Sequence, residues 1–287
     1  MSKLFGFAQF DFAGTLPLAD GRYLARDEEG ESVLVILTLG APSPPPRRRR
    51  RAHNAEPEVE ALPLARVTAI RAFAPFADAE EAARWLDEAT EAEDTTDVLV
   101  GDGVALLNRA LYAQAAAAAE PHGHELTPER AVKVRLGYGT GDQLAESDFT
   151  EAREIDVRSR SSSRSRRRQE ALRPQERVAA VLGGREQLDA CETLLLRARA
   201  DLDAGRIREA ALQLRVGLEA LLAELKGALE DPDHEADMGT LTARRSEAGE
   251  AANVALDGEL DPTRATQVRE LLELCERVLR RRRVLRG

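Results

Sequence analysis

Hydrophobic positions in the first forty residues alternate instead of recurring every third or fourth residue. Phe5 and Phe7 form one alternating pair, and Phe10 and Phe12 a second. Arg22 to Arg26 precedes the turn-like DEEGE. The run VLVILTLG that follows has the composition of a buried strand between Gly-containing loops. Antiparallel pairing is expected among these segments. Residues 41–61 (APSPPPRRRRRAHNAEPEVEA) then break all pattern, with five Pro and no large aliphatic residue before Val59, which predicts a Pro/Arg-rich surface loop.

Leu64, Val67, Ile70 and Phe73 predict another strand. Asp78 with Glu81 three residues on matches a capping box, opening a helix through Trp85 and Leu86 to about Ala92. Val98 to Val100 reads as a short apolar step and Asp102 as the start of a second helix. That helix carries Leu106, Leu107, Ala110 and Leu111 on one face and runs into an Ala tract before Pro121. Ala favours helix because it loses no side-chain rotamer entropy, yet it offers little area to bury. Val132, Val134 and Leu136 alternate with Lys133 and Arg135, a strand that leads into a Gly-rich turn at residues 137–142. Weak alternation over 149–157 suggests a strand returning beside it. Residues 1–157 therefore read as an α+β domain with largely antiparallel strands.

Residues 158–171 open with RSRSSSRSRRR and read as an Arg/Ser-rich linker. From 172 to 287 every pattern is helical. Pro174 suits a first turn, with Val178, Val181 and Leu182 ending at Gly183. Leu188, Cys191, Leu194, Leu195 and Ala198 continue to about Ala204. Ile207, Ala210, Ala211, Leu214, Leu218, Leu221 and Leu225 give the spacing of an amphipathic helix. A weaker helix over 240–256 precedes the last one, which opens at Asp261-Pro262 and turns Val268, Leu271, Leu272, Cys275, Val278 and Leu279 inward. Arg280 to Arg283 fall at its C-terminal, electronegative end. Short connections imply antiparallel neighbours, hence a helical bundle. The expected fold class is α+β: an N-terminal mixed α/β domain followed by an all-α bundle.

The stretch LLLRARADLDAGRIREAALQLRVGLEALLAEL (194–225) resembles the helical hairpin of tetratricopeptide-type repeats and of HEPN domains. It has their Ala-rich first helix, tight Asp-Ala-Gly turn and aliphatic second helix. The resemblance covers about 32 of the 287 residues and implies an αα-hairpin. No second copy follows at a period near 34, as a repeat array requires. The HEPN ribonuclease signature needs an Arg shortly before a His, whereas positions 227–229 ahead of His234 are Gly, Ala and Leu. No site residue is carried over.

Charge changes the picture more than composition does. Of 41 basic residues only Lys3, Lys133 and Lys226 are Lys, and Ala is abundant, a bias that points to a GC-rich bacterial genome. The net charge is −10, but residues 1–157 carry 28 acidic and 16 basic groups while 158–287 carry 23 and 25. Eleven Arg fall in two segments: Arg47, Arg48, Arg49, Arg50 and Arg51, then Arg158, Arg160, Arg164, Arg166, Arg167 and Arg168. These are the candidate nucleic-acid-binding residues, since guanidiniums neutralise phosphates. Neither segment holds an aromatic residue for base stacking, and the acidic body opposes a phosphate backbone.

Chemistry is otherwise sparse. Gly137-x-Gly139-x-Gly141 lacks the next Gly of a dinucleotide fingerprint, Asp142 standing there, and no Walker sequence occurs. His122, His124 and Glu125 share a loop without a fourth metal ligand nearby. Asp231, Asp233, Glu235 and Asp237 start like a calcium loop but meet Ala236 where Gly is required and Thr242 where Glu is required. Cys191 and Cys275 stand alone among helical apolar positions, and His53 lies in the Pro/Arg segment. No catalytic, cofactor or metal residue is assigned. No run of apolar residues approaches the roughly 18 needed to span a bilayer, so neither a membrane span nor a membrane partner is expected, and a reducing, cytoplasmic location is.

The expected function is a non-enzymatic module that binds an unidentified protein partner or a second copy through the C-terminal helices, with Val268, Leu271, Cys275, Val278 and Leu285 as the candidate seam. Nucleic-acid association through the Arg segments is the alternative. A further alternative is an enzyme holding a phosphorylated ligand at residues 137–142. The leading expectation predicts no binding to labelled DNA or RNA even at low salt. Binding that weakens steeply with salt and is lost on deleting 47–51 and 158–168 would establish the nucleic-acid alternative.

Overall fold

The computed structural model describes residues 3–27, 30–40, 62–121, 123, 125–157, 174–227 and 231–286. The Pro/Arg segment 41–61 and residues 158–171 lie outside them. The chain divides into two compact units, residues 1–162 and 163–287, and its class is α+β.

In the first unit, β1 (Leu4–Ala13), β2 (Gly21–Asp27), β3 (Gly30–Leu39), β4 (Leu64–Phe76), β5 (Ala131–Thr140) and β6 (Glu151–Glu154) form one sheet in the order β2-β3-β4-β1-β5-β6. Every pairing is antiparallel. Helices α1 (Ala79–Glu91) and α2 (Glu93–Ala118) intervene between β4 and β5, and the five-residue α3 (Gly141–Ala145) follows β5. Asp78 caps α1 by accepting from the Glu81 N–H at 2.8 Å, as the capping pattern predicted.

The two Phe pairs of the N-terminal segment belong to one strand. Phe10 and Phe12 of β1 face the helices, packing with Leu34, Ile36, Val67, Leu86, Val104 and Leu107. Phe5 and Phe7 face the other way, onto Val35, Ile70, Leu144 and Phe149. The even spacing breaks between Phe7 and Phe10 because the strand is buried on both sides, not because it is interrupted. Burial of the Phe7, Phe10 and Phe12 rings contributes about 1.5–3 kcal/mol each.

Helix α2 departs from the sequence expectation. It starts at Glu93, so Val98 to Val100 lie inside it, and its buried positions Thr96, Leu99, Val100, Gly103, Val104, Leu107 and Leu111 keep helical spacing. Gly103 within it serves close approach to the sheet. A Cβ there would come within 2.9 Å of the Phe10 ring and 3.0 Å of Ala8.

The Gly-rich segment is likewise not a turn. Gly137 and Gly139 lie within β5, opposite Phe7 and Phe5 of β1, and Gly141 begins α3 behind a Thr140/Gln143 capping box. A Cβ on Gly137 would sit 2.4 Å from the Glu151 carbonyl oxygen and 2.7 Å from the Phe7 ring. Beside Gly137 and Gly139, strand β6, the Phe7 ring and Leu144 fill the space that a side chain would take.

The second unit is helical throughout its described residues: α4 (Pro174–Leu182), α5 (Ala190–Asp203), α6 (Ile207–Glu224), α7 (Pro232–Ala243), α8 (Arg245–Asp257) and α9 (Pro262–Arg286). Its core joins Cys191, Leu195, Ala198, Leu214, Leu218, Leu221, Leu241, Ala251, Leu271, Cys275 and Val278. Helices α5 and α6 form the expected hairpin. The acidic residues read as a loop before a helix at 240 are instead the first two turns of α7, which Asp231 caps by accepting from the His234 N–H.

Gly137→Ala is expected to destabilise the N-terminal unit by about 1–3 kcal/mol through overpacking. Gly141→Ala, whose added carbon meets only the Phe5 ring at 3.6 Å, is expected to be near neutral. Chemical denaturation of the two variants side by side makes the comparison.

Candidate functional site

The register of β1 places Gln9 opposite Thr68 and Arg135, and Asp11 opposite Arg66 and Lys133, on the face away from α1 and α2. Gln9, Asp11 and Thr68 are buried. Arg66 donates to Asp11 from Nε at 2.8 Å and from Nη2 at 3.1 Å. Arg135 Nη1 donates to Asp11 Oδ2 at 3.1 Å and to Gln9 Oε1 at 2.8 Å. Gln9 Nε2 donates in turn to Thr68 Oγ1 at 3.0 Å, and that hydroxyl lies 3.1 Å from Ser147 Oγ. Burial alone would raise the Asp11 carboxyl, but Arg66 and then Arg135 outweigh it and hold it below its ordinary value. The result is a permanently ionised clamp across the three central strands, without a proton to give or take near neutral pH.

The second unit repeats the device. Glu192 is buried at the start of α5 and is gripped by Arg177 of α4 at 2.6 Å and Arg283 of α9 at 3.2 Å. Desolvation would raise its carboxyl, and the two guanidiniums prevail and lower it. Arg282 pairs with Asp189, and Arg281 reaches Asp237 at 2.9 Å and Asp233 at 3.5 Å. The C-terminal Arg run is thus more than a solvated helix end: three of its members tie α9 to α5 and α7. Asp231, Asp233 and Asp237 face those cations, which corrects any likeness to a calcium loop. Among the described residues no group of three or more His, Cys, Asp or Glu gathers as a metal site.

Cys191 and Cys275 are both buried. Burial, aided at Cys191 by Glu224, pushes each thiol up to about 12, so neither is a nucleophile at neutral pH. His234 is 2% exposed, and neither ring nitrogen has a hydrogen-bond partner among the described residues. The candidate seam residues Val268, Leu271, Cys275 and Val278 are core of their own unit. Leu285 sits in α9, and its side chain lies outside the description.

The candidate nucleic-acid residues Arg47 to Arg51, Arg158, Arg160, Arg164 and Arg166 to Arg168 all lie outside the described residues, as do His53, His122 and His124. Two features that sequence reasoning missed lie within them. The Ala-rich half of α2 is flanked by two cavities. One, of about 560 Å³, lies against Leu18, Tyr23, Leu34, Arg109 and Ala113. The other, of about 540 Å³, lies against Leu16, Pro17, Leu111, Ala118, Leu126 and Arg130. The second feature is α4, whose Val178 and Leu182 are 53% and 83% exposed. The Ala tract was a signal for the cavities, since a helix of small side chains cannot fill the space beside it.

Compared with protein-family models, with characterised proteins and with solved structures, the chain matches none. Among the described residues no helix is long and apolar enough to cross a membrane.

Asp11 and Glu192 have folded-state values below their ordinary 3.8 and 4.5. Their contribution to stability is therefore full above those ordinary values and is lost as pH falls through the lower folded ones. Asp11→Asn and Glu192→Gln are each expected to cost about 3 kcal/mol at pH 7, because each removes the buried charge that two guanidiniums share. Each should also flatten the decline of stability below about pH 4, read from denaturant midpoints across pH.

Proposed function

We propose that the protein is a non-enzymatic interaction module that pairs with a second copy of itself through the α4 edge of its C-terminal unit. The reading is carried by the exposure of Val178 and Leu182, one turn apart on the same side of α4. A helix of nine residues is marginal by itself in water. Arg177 ties one side of it to Glu186 and Glu192, while the apolar side has no cover among the described residues.

Leu188, just before α5, and Leu196, one turn along α5 from Glu192, are 58% and 64% exposed and would extend the patch. A two-fold axis would lay α4 against its copy, so that one patch serves both subunits. The helix is only about 13–14 Å long, and contact through it alone falls short of the roughly 800 Å² per partner of a stable complex. A weak, concentration-dependent dimer that also uses Leu188 and Leu196 is the expected form. The ionised clamps at Asp11 and Glu192, and the raised thiols, support a role in binding over one in proton or acyl transfer.

Light scattering at tens of micromolar protein is expected to give a mass above that of one chain, falling on dilution. The double variant Val178→Asp/Leu182→Asp is expected to run as a single chain with its helical circular dichroism retained. A wild-type protein of single-chain mass at every concentration overturns the proposal, as does association that the double variant leaves untouched.

A further inference from the structure

The cavity of about 540 Å³ beside the C-terminal half of α2 is within the size range of small-ligand pockets, roughly 300–1,000 Å³. Its walls follow from three local features. Ala115 and Ala118 of α2 present only methyl groups to it, and Leu111 closes its inner end. The segment after α2 is held back against the helix by Asn108. That side chain donates from Nδ2 to the Leu126 carbonyl at 2.9 Å and accepts from the Leu126 N–H at 2.8 Å. Leu16 and Pro17, between β1 and β2, complete the apolar lining.

One cation lines the mouth. Arg130 ends a single 3-10 turn, Pro128–Arg130, and no carboxylate among the described residues pairs with it. Glu120 lines the same opening and is already engaged within the protein. A guanidinium presents parallel N–H donors that match the two oxygens of a carboxylate. A single Arg suits a monoanion better than a phosphate, which clusters of cations usually hold.

We propose that this cavity binds a small amphiphile with an apolar body and one carboxylate, the body lying along Ala115 and Ala118 and the carboxylate meeting Arg130. The site belongs to the N-terminal unit and does not depend on self-association through α4.

Decanoate is the probe and decanol its uncharged counterpart, each titrated into the full-length protein by calorimetry. Decanoate is expected to bind at least tenfold more tightly than decanol, and Arg130→Gln is expected to remove most of that difference. Ala118→Trp, at an exposed position, should abolish binding of both by filling the cavity. Ala117→Trp, which faces the neighbouring 560 Å³ cavity, should leave binding unchanged. Absence of decanoate binding, equal affinity for acid and alcohol, or loss through Ala117→Trp instead of Ala118→Trp would each overturn the proposal.

Discussion

A carboxylate buried in the middle of a sheet obliges its neighbours to supply the opposite charge, and Asp11 sets that condition for the N-terminal unit. Unpaired, it would cost several kcal/mol. The strands on either side, β4 and β5, meet the demand with Arg66 and Arg135 at hydrogen-bonding distance. The pairing works in one register only, because a slip of one residue would turn Asp11 toward the helices and Phe10 away from them. Gln9, Thr68 and Ser147 continue the polar row, each side chain hydrogen-bonded to the next. With the register of β1 locked, the other face of the same strand presents Phe10 and Phe12 to α1 and α2.

The C-terminal unit is organised by a similar rule with less sequence locality. Glu192 is buried where three helices approach, and cations from α4 and α9 meet it. Because α9 follows the whole bundle in the chain, its terminal Arg residues link the last helix to α5 and, through Arg281, to α7. Small residues do the remaining work. Ala210, Ala211, Ala248, Ala251, Ala252 and Ala255 are buried in this unit, where short side chains allow neighbouring helices to approach closely. The same residue type on α2 has the opposite effect. There the facing segments, β2 on one flank and loops on the other, do not close onto it, and cavities remain on both flanks.

The two proposed binding surfaces lie where these clamps end. The apolar side of α4 projects beyond the Arg177 ion pairs, and Arg130 sits outside the polar row of the sheet. Both are positions at which a side chain typical of the interior, or a charge typical of a clamp, has been left at the surface.

Much of the fold could be read from the residues alone. Alternation marked β1 and β5, the apolar run of Val, Ile and Leu marked β3, the Asp78/Glu81 pair marked the start of α1, and 3–4 spacing marked α5, α6 and α9, because each signal depends only on neighbours within a turn or a strand. The sequence misled where a residue's reason lies far along the chain. Gly137 looked like part of a turn, but it is small because Phe7 from β1 and the Glu151 carbonyl occupy the space beside it. The acidic run at 231–237 looked like a loop because the Arg residues that balance it come more than forty positions later. By itself the sequence determined an α+β chain with a strand-rich first half and a helical second half, since burying apolar stripes of period 2 and period 3.6 requires those elements. Only the tertiary structure decided which charges are paired and which face solvent, because distance in space, not separation along the chain, fixes an ion pair's energy.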